Sequence, residues 1–262
     1  MATRYIRHVN LDLQRVAAKV ASIAGRLATG FPLHSECVWP GIETDLFLAH
    51  RSVYAFFAQW VARRRVLDAG SGAGYGAALL AGAGASAIVG IDSDPRFVRY
   101  ARRRYRNERI EFRVADCSTL DFPTESFDVI TCSNVLEHLA KPTTFLDSSR
   151  RCLSPGGTLL VAVPWIADEV SLEWNRRNPW NIYKMRVDEW AALFLRQVWR
   201  YRLWSQTFDP TVGVPDFLDP RPSHRPLSEF QFREQAVAEA LSTWSLGVTF
   251  HLTPADSQTV AS

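Results

Sequence analysis

From Arg65 onward, short apolar runs alternate with segments of helical length, and this alternation constrains the fold more than any other feature. Strands separated by helices are typical of βαβ units, whose strands lie parallel in one sheet. We therefore predict an α/β fold with a doubly wound, mostly parallel sheet. The predicted strands cover residues 66–67, 87–91, 110–114, 127–131 and 158–163, and the predicted helices cover 77–83, 95–106 and 145–152.

The chain on either side of this core has a different pattern. Two helices, over residues 10–27 and 44–61, are expected to pack outside the main sheet. The apolar face of the first is formed by Leu13, Val16, Ala17, Val20, Ile23 and Leu27. After Pro164 we predict a lid insertion following strand five, helices over 188–195 and 228–241, and strands over 198–204 and 246–252. Pairing of these strands as a hairpin gives seven strands, the seventh antiparallel.

This pattern divides the chain into three expected parts. Residues 1–62 form an N-terminal helical cap, residues 63–164 form the ligand-binding core, and residues 165–262 form a lid with the C-terminal hairpin.

Composition argues against several classes of protein. Of the 262 residues, 47% are hydrophobic and 22% are charged, which fits a packed core, and the net charge of +3 gives little attraction to nucleic acid or membranes. The arginines between 96 and 109 are expected to form a solvated face. No run approaches the ~20 apolar residues that span a bilayer. Residues 1–30 lack the apolar stretch of a signal peptide, and the four cysteines lack metal-binding spacing, so we expect a cytoplasmic protein with reduced thiols.

The segment VLDAGSGAGYG at residues 66–76 predicts a nucleotide site. Glycines let the backbone turn sharply and let a ligand approach closely, and a strand that leads into such a turn marks the binding crevice of α/β proteins. Residues 72–77 also fit the loose GxGxxG/A pattern of NAD-binding loops. Asp68 favours a cationic ligand instead, because its carboxylate would repel a pyrophosphate.

Five segments occur in a fixed order between residues 68 and 161. They read DAGSGAG (68–74), IVGID (88–92), VADC (114–117), FDVITCSNVLEHL (127–139) and LSPGGTLLV (153–161). Together they resemble the class I S-adenosylmethionine-dependent methyltransferases. The resemblance implies S-adenosylmethionine as cofactor and S-adenosylhomocysteine as product, with the ribose hydroxyls on Asp92 and the adenine amino group on Asp116. The cofactor-binding residues it implies are Asp68, Gly70, Ser71, Gly72, Gly74, Tyr75, Asp92, Ser93, Asp116, Cys117 and Ser133.

Two of these carboxylates have a structural alternative. Asp92 could cap the helix that follows it, although Asp94 fits that position as well. Asp116 could be a turn residue. A carboxylate offers two acceptor oxygens, which suits the cis-diol of a ribose, so both stay among the candidates.

His138 is the candidate catalytic residue. Methylation of a hydroxyl needs a base, and a histidine just beyond the fourth strand lies at the edge where ligands bind and titrates near neutral pH. The alternative is that His138 only packs against the cofactor. Some related O-methyltransferases hold a divalent metal with Glu-x-x-Glu-His in this loop, but Asn134 replaces the first glutamate here. A metal is therefore possible but not favoured.

The N-terminal flank resembles a bacterial subgroup linked to sugar and cell-surface glycan modification. Glu36 and the segment HRSVY at 50–54 carry this resemblance, with Cys37 and Val53 at positions where the subgroup has arginines. The resemblance implies that Arg51 pairs with the carboxylate of the cofactor. The alternative is a helix face that packs on the core.

Aromatic residues after the fifth strand are the candidate acceptor-binding residues, namely Trp165, Trp174, Trp180 and Tyr183. Aromatic platforms suit sugar faces and aromatic rings, and the alternative is that half of these residues belong to the core. We predict O-methylation of a small molecule or saccharide. The alternatives are N-methylation, an RNA or protein methyltransferase, and a non-catalytic cofactor-binding protein. The sequence does not indicate an oligomeric state.

Overall fold

The protein is built around one large mixed sheet. The computed structural model describes residues 2–31, 38–176, 178 and 181–255, with side chains for the same residues except 2–14 and 210. Within them the strands are β1 Arg65–Ala69, β2 Ala87–Asp92, β3 Ile110–Val114, β4 Phe127–Ser133, β5 Leu153–Pro164, β6 Trp199–Phe208, β7 Phe230–Glu234 and β8 Gly247–Pro254. The α-helices among the same residues are α1 Ala2–Thr29, α2 Asp45–Phe57, α3 Tyr75–Gly82, α4 Pro95–Arg104, α5 Pro142–Cys152, α6 Glu169–Arg176, α7 Val187–Arg196 and α8 Val237–Ser242.

The strand order confirms the predicted fold class. The sheet runs β3-β2-β1-β4-β5-β8-β6-β7, with parallel pairing from β3 to β5. The last strand, β8, lies antiparallel between β5 and β6, which confirms the predicted pairing of the two C-terminal strands, although β7 and α8 lie between them in the chain. Because β1, β4 and β5 are parallel, their carboxyl ends meet at one edge of the sheet, where α/β proteins bind ligands.

Helices cover both faces of this sheet, as a doubly wound fold requires. On one face Phe57 of α2 and Leu80 of α3 pack into a cluster with Val66 of β1. On the other face Phe145 of α5 and Trp190 of α7 pack into the larger cluster. The helix α2 begins at a capped end, where the backbone N–H of Phe47 donates to the Thr44 side chain at 3.2 Å.

The described residues form eight strands, where the sequence predicted seven. The predicted helix over 228–241 is wrong in its first half, because residues 230–234 form β7 and pair antiparallel with β6. Phe230 is buried and Phe232 stacks on Phe56 of α2, with ring centroids 4.2 Å apart, whereas Gln231 and Arg233 are exposed. This alternation has the period of a strand, and the neighbouring β6 satisfies the backbone groups that a helix would have paired locally.

The helix α1 forms as predicted, but much of its apolar face is exposed. Val16, Val20, Ile23 and Leu27 are each at least half exposed. The chain is fixed just beyond this helix, where buried Phe31 packs against aromatic rings that include Phe97 of α4. Among the described residues, no helix combines the length and the hydropathy needed to cross a bilayer.

We expect Phe232→Ala to lower the free energy of unfolding by about 2 kcal/mol, because it removes the stack on Phe56 from a half-buried position; fully buried rings cost ~3–5 kcal/mol. Urea denaturation measures this change. Gln231→Ala, on the exposed side of the same strand, is the control and should stay within ~0.5 kcal/mol of the unsubstituted protein. Equal effects of the two substitutions would contradict the assignment of β7.

Candidate active site

The turn between β1 and α3 is shaped by glycines in a left-handed conformation. The φ angles are +74° at Gly70, +50° at Gly72 and +82° at Gly74. A Cβ at Gly70 would lie 2.3 Å from the Val135 side chain, and a Cβ at Gly74 would lie 2.7 Å from that of Ala101. Only glycine combines these backbone angles with so little space, so the loop exposes backbone where other residues would present side chains.

Asp68 lies beneath this loop in the middle of the sheet. It is fully buried, and its Oδ1 accepts hydrogen bonds from the Tyr54 hydroxyl at 3.0 Å and from Thr131 Oγ1 at 2.8 Å. Burial raises the pKa of Asp68 to about 6, although the two hydrogen bonds act in the opposite direction. Its Oδ2 is buried and has no hydrogen-bond partner among the described residues, and the same holds for the Oγ of Ser71 in the loop above.

Asp92, at the end of β2, ties the glycine loop to the next turn. Its Oδ2 accepts from the Gly72 N–H and its Oδ1 from the Asp94 N–H, each at 2.9 Å. Burial raises the pKa of this half-buried carboxyl group. The helix cap is Asp94, which accepts from the Arg96 N–H at 2.8 Å, so Asp92 does not cap α4. Ser93, between the two, is exposed.

The turn after β3 holds Asp116 and Cys117. Asp116 is exposed, and its carboxylate accepts from the N–H and the hydroxyl of Ser118 at 2.8 and 2.7 Å. It therefore makes the turn that the sequence offered as an alternative, while lone pairs on both oxygens stay available for a ligand. Cys117 is buried, which raises the pKa of its thiol to about 12. The Ala115 N–H donates to Asp92 O at 3.1 Å, so this turn adjoins the end of β2.

The segment after β4 passes beside the glycine loop at the carboxyl edge of the sheet. Ser133 is buried, and Asn134 has a φ of +52°, a left-handed conformation that asparagine tolerates better than most residues. The Asn134 N–H donates to Ala162 O of β5 at 2.8 Å. Val135 follows and packs on Gly70.

His138 ends a short 3-10 turn over Leu136–His138. Its side chain is 24% exposed, and its Nε2 lies 3.9 Å from the Oε1 of buried Glu137. The Glu137 carbonyl accepts from the Tyr183 N–H at 2.9 Å, which attaches this turn to the segment after β5. Among the described residues, no cluster of three or more histidine, cysteine, aspartate or glutamate side chains could hold a metal ion.

Three of the four aromatic residues predicted to bind the acceptor lie within the described part of the chain. Trp165 packs against the core and donates from Nε1 to Ala240 O at 2.7 Å, and the Tyr183 hydroxyl donates to Ala140 O at 3.1 Å. Trp174 lies on α6 and is 62% exposed. Trp180 lies outside the described residues.

Other predicted residues of the N-terminal flank are placed as follows. Glu36 and Cys37 lie outside the described residues. Arg51 lies on α2 and pairs with Glu43 through a hydrogen-bonded ion pair. Tyr75, the first residue of α3, is half-buried and packs edge-on against Phe47 and Tyr54 of α2, with ring centroids 5.0 and 5.6 Å apart.

A small cavity of about 70 Å³ opens beside the segment after β4, and sequence reasoning did not find it. We call it the His50 cavity, after the half-buried histidine in its wall. It is lined by Leu46, Ala49, His50, Val53, Asn134, Ala162, Val163, Gln206, Phe217, Leu246, Gly247, Val248 and Thr249. The only sequence signal was the HRSVY segment, in which the resemblance drew attention to Arg51 and not to His50.

The crevice fits a cationic nucleoside. Asp68, Asp92 and Asp116 place three carboxyl groups at the carboxyl ends of β1, β2 and β3. The glycine loop gives close backbone access, and buried Asp68 and Ser71 each retain an unpartnered oxygen among the described residues. A sulfonium and an ammonium group would be attracted by these carboxylates, whereas a diphosphate would be repelled.

Comparison with known proteins agrees with this chemistry. The methyltransferase domain family matches residues 67–161. A probable S-adenosylmethionine-dependent methyltransferase of Mycolicibacterium smegmatis is 35% identical over 162 residues, which are 61% of this chain and 61% of that protein. A ubiquinone biosynthesis O-methyltransferase of Xanthomonas oryzae is 35% identical over 105 residues, 39% of this chain and 44% of that protein. The chain thus spans about three fifths or less of the length of these curated relatives.

The fold has close counterparts among solved structures. A SAM-dependent methyltransferase from Thermotoga maritima superposes with a TM-score of 0.58 at 18% identity, over 79% of this chain and 91% of that chain. At this level of identity the likeness establishes the fold alone.

We expect Gly74→Ala to lower the free energy of unfolding by roughly 2 kcal/mol and to weaken S-adenosylhomocysteine binding, because a Cβ is strained at this φ and meets Ala101 and Phe112. Urea denaturation and titration calorimetry measure the two effects. Gly82→Ala is the matched control, since a Cβ there has no neighbour within 4 Å among the described residues and alanine favours a helix. Unchanged affinity in Gly74→Ala would contradict the role of this loop.

Because the pKa of Asp68 is raised, we expect the difference in stability between Asp68→Asn and the unsubstituted protein to depend on pH. The folded-state pKa of about 6 lies above the ordinary value of 3.8, so the protonated carboxyl stabilises the fold at low pH and this contribution is lost as the pH rises from about 4 to about 6. Asp68→Asn cannot ionise, so its stability relative to the unsubstituted protein should rise across that window by up to about 3 kcal/mol.

Urea denaturation between pH 4.5 and 7 tests this expectation. The control is Asp128→Asn, because pairing with Arg65 lowers the pKa of Asp128 to about 2. The ionised Asp128 therefore stabilises the fold above about pH 4, and this contribution is lost only as the pH falls towards 2. The difference in the free energy of unfolding between Asp128→Asn and the unsubstituted protein should thus stay constant over the range tested. If the free energy of unfolding of Asp68→Asn also differed from that of the unsubstituted protein by a constant amount, the raised pKa of Asp68 would be refuted.

Proposed function

We propose that this chain, which belongs to the class I S-adenosylmethionine-dependent methyltransferases, transfers a methyl group from S-adenosylmethionine to an oxygen atom of a small molecule. The observation that carries the proposal is the glycine crevice, where the carboxyl groups of Asp68, Asp92 and Asp116 lie at the carboxyl ends of neighbouring strands. This crevice suits a cationic nucleoside, because its carboxylates attract a sulfonium and an ammonium group.

The cofactor would be held by the turns that follow the first four strands. Asp92 is the proposed partner of the ribose hydroxyls, and Asp116 with Cys117 borders the proposed adenine site. The glycine loop with Ser71 and Tyr75, together with Ser93, Ser133 and Arg51, completes the proposed contacts. Asp68 would act from below the loop, through its negative charge. When bound, the cofactor supplies a methyl group that its sulfonium already activates, so the protein aligns the acceptor and excludes water.

Oxygen is favoured as the methylated atom for two reasons. The Xanthomonas relative is named an O-methyltransferase, although the match to it covers only part of each chain. A hydroxyl acceptor also needs a group that takes its proton, and two histidines, His50 and His138, lie near this edge. His138 is the base proposed from the sequence.

A small molecule fits the structure better than RNA as the acceptor. The arginine-rich helix α4 lies beside β2 and β3, and Arg102 is engaged in hydrogen bonds from its guanidinium to Phe112 O at 2.6 and 2.8 Å. An extended basic surface would instead be expected next to the site of an RNA methyltransferase.

The function is tested first by cofactor binding. S-adenosylhomocysteine should raise the thermal stability of the protein and NAD should not. Asp92→Ala should weaken S-adenosylhomocysteine binding by about 1–3 kcal/mol through lost hydrogen bonds, as measured by calorimetry. Asp147→Ala, an exposed carboxylate on α5, is the control and should bind normally. Stabilisation by NAD alone, or normal binding by Asp92→Ala, would remove the basis of the proposal.

A further inference from the structure

The helix α1 carries two parallel rows of side chains from residue 15 onward. The first, which we call the apolar row, consists of Val16, Val20, Ile23 and Leu27. The second, which we call the basic row, lies one residue earlier and consists of Arg15, Lys19, Ser22 and Arg26. Steps of four and three residues return to the same side of an α-helix, so each row runs straight along α1 and the two rows lie side by side.

The apolar row faces away from the protein, and each of its four side chains is at least half exposed. Gly25 is two residues from both Ile23 and Leu27, which places it on the opposite side of the helix. A Cβ at Gly25 would lie 2.3 Å from the Trp39 ring, so this opposite side is the one that packs on the protein. An ordinary surface helix has the reverse arrangement, with its apolar stripe towards the core.

Contacts at two points fix this orientation of α1. Just beyond the end of the helix, buried Phe31 packs against Phe97 and Tyr100 of α4, with ring centroids 5.4 and 5.2 Å apart. One turn before the middle of the apolar row, Arg15 pairs with Asp216 of the loop between β6 and β7 at 2.8 Å. Rotation of the helix to bury the apolar row would break this ion pair.

The loop that holds Arg15 has exposed apolar side chains of its own. Val214 and Leu218 lie two residues on either side of Asp216, and each is more than 70% exposed. Since consecutive Cα atoms are ~3.8 Å apart, both lie within ~8 Å of the Cα atom of Asp216. The exposed apolar surface therefore includes two segments that one ion pair joins.

The charges beside the apolar row are of one sign. Residues 15–29 contain three basic residues and no acidic residue. The whole of α1 contains five basic residues and one acidic residue, so its net charge of +4 exceeds the +3 of the entire chain. Lys19 is exposed, and the guanidinium of Arg26 lies over the Phe31 ring, 5.3 Å from its centroid. Asp216 neutralises only the first member of the basic row.

This arrangement fits an anionic lipid surface better than a second protein molecule. A helix with an apolar side and a basic side lies in the plane of an anionic bilayer, where the apolar side chains enter the acyl region and the basic groups reach the phosphates. A second copy of the chain would bring together two helices of net charge +4, which repel each other. Four aliphatic side chains also offer much less than the ~800 Å² per partner of a standard protein interface.

We propose that the apolar row of α1 docks this protein on the surface of an anionic membrane, with Lys19 and Arg26 at the lipid phosphates. The helix lies along the bilayer and does not cross it, since none of the described helices has the length and hydropathy of a membrane span. The docking does not depend on the proposed methyl transfer, so the two proposals are tested separately.

Sedimentation with lipid vesicles tests the docking. The unsubstituted chain is mixed with vesicles of equal parts phosphatidylglycerol and phosphatidylcholine, and separately with vesicles of phosphatidylcholine alone. We expect binding to the anionic vesicles to be at least about ten-fold stronger, and to weaken as KCl is raised from about 50 to about 500 mM, because salt screens the attraction. Absence of binding to the anionic vesicles, or equal binding to both kinds, would overturn the proposal.

Val20→Gln combined with Ile23→Gln removes the centre of the apolar row without a change of charge. This double variant should bind the anionic vesicles about ten-fold more weakly or worse and should keep its thermal stability and its S-adenosylhomocysteine affinity, because both positions are exposed. The matched control is Ala21→Gln combined with Ala28→Gln, at exposed positions of the same helix outside both rows. The control should bind the vesicles within about two-fold of the unsubstituted chain. Equal losses in the two double variants would contradict the role of the apolar row.

Self-association is the competing outcome, and sedimentation equilibrium without lipid measures it. We expect the same mass for the unsubstituted chain and for Val20→Gln combined with Ile23→Gln. If the unsubstituted chain forms dimers that this double variant dissociates, the apolar row is an interface between copies of the chain and the membrane proposal is refuted. Failure of S-adenosylhomocysteine to bind would instead count against the proposed function and not against the docking.

Discussion

The buried carboxylate of Asp68 is the interaction on which the site depends. It accepts hydrogen bonds from Tyr54 of α2 and Thr131 of β4, so one side chain connects a helix, the first strand and the fourth strand. A carboxyl group so deeply buried is costly unless it is hydrogen-bonded or protonated, and its raised pKa expresses that cost. Asp68 lies directly below the glycine loop, where a cationic ligand would stabilise its negative charge.

The position of α2 follows from this contact. Tyr54 also packs over Gly76, where a Cβ would lie 2.2 Å from its ring, so the helix sits directly on the start of α3. On its other side, Gln206 and the stack between Phe56 and Phe232 hold α2 against β6 and β7. A helix held from both sides keeps its side chains at fixed positions beside the glycine loop.

The aromatic residues of the C-terminal part contribute to packing as well as to any ligand contact. Trp190 and Trp199 are almost fully buried in the main cluster, and Trp60 and Trp204 pack with Phe56 on the side of α2. The indole of Trp165 and the hydroxyl of Tyr183 are both bonded to carbonyl groups. Aromatic content after the fifth strand does not by itself separate core residues from acceptor contacts, because large rings stabilise a core as readily as they bind ligands.

The sequence by itself determined the parallel core and the crevice, because their signals are local. The strand over residues 110–114 was predicted with the bounds that the structure has, and the left-handed angles of Gly70, Gly72 and Gly74 follow from a strand that turns sharply into a helix. The tertiary structure alone decided the eighth strand, the exposed face of α1 and the place of His50 in the wall of a cavity. Each of these depends on residues far apart in the chain: β7 exists because β6 pairs with it, and the His50 cavity joins α2 to residues beyond 200. Periodicity within a segment carries no information about which distant segment will lie against it.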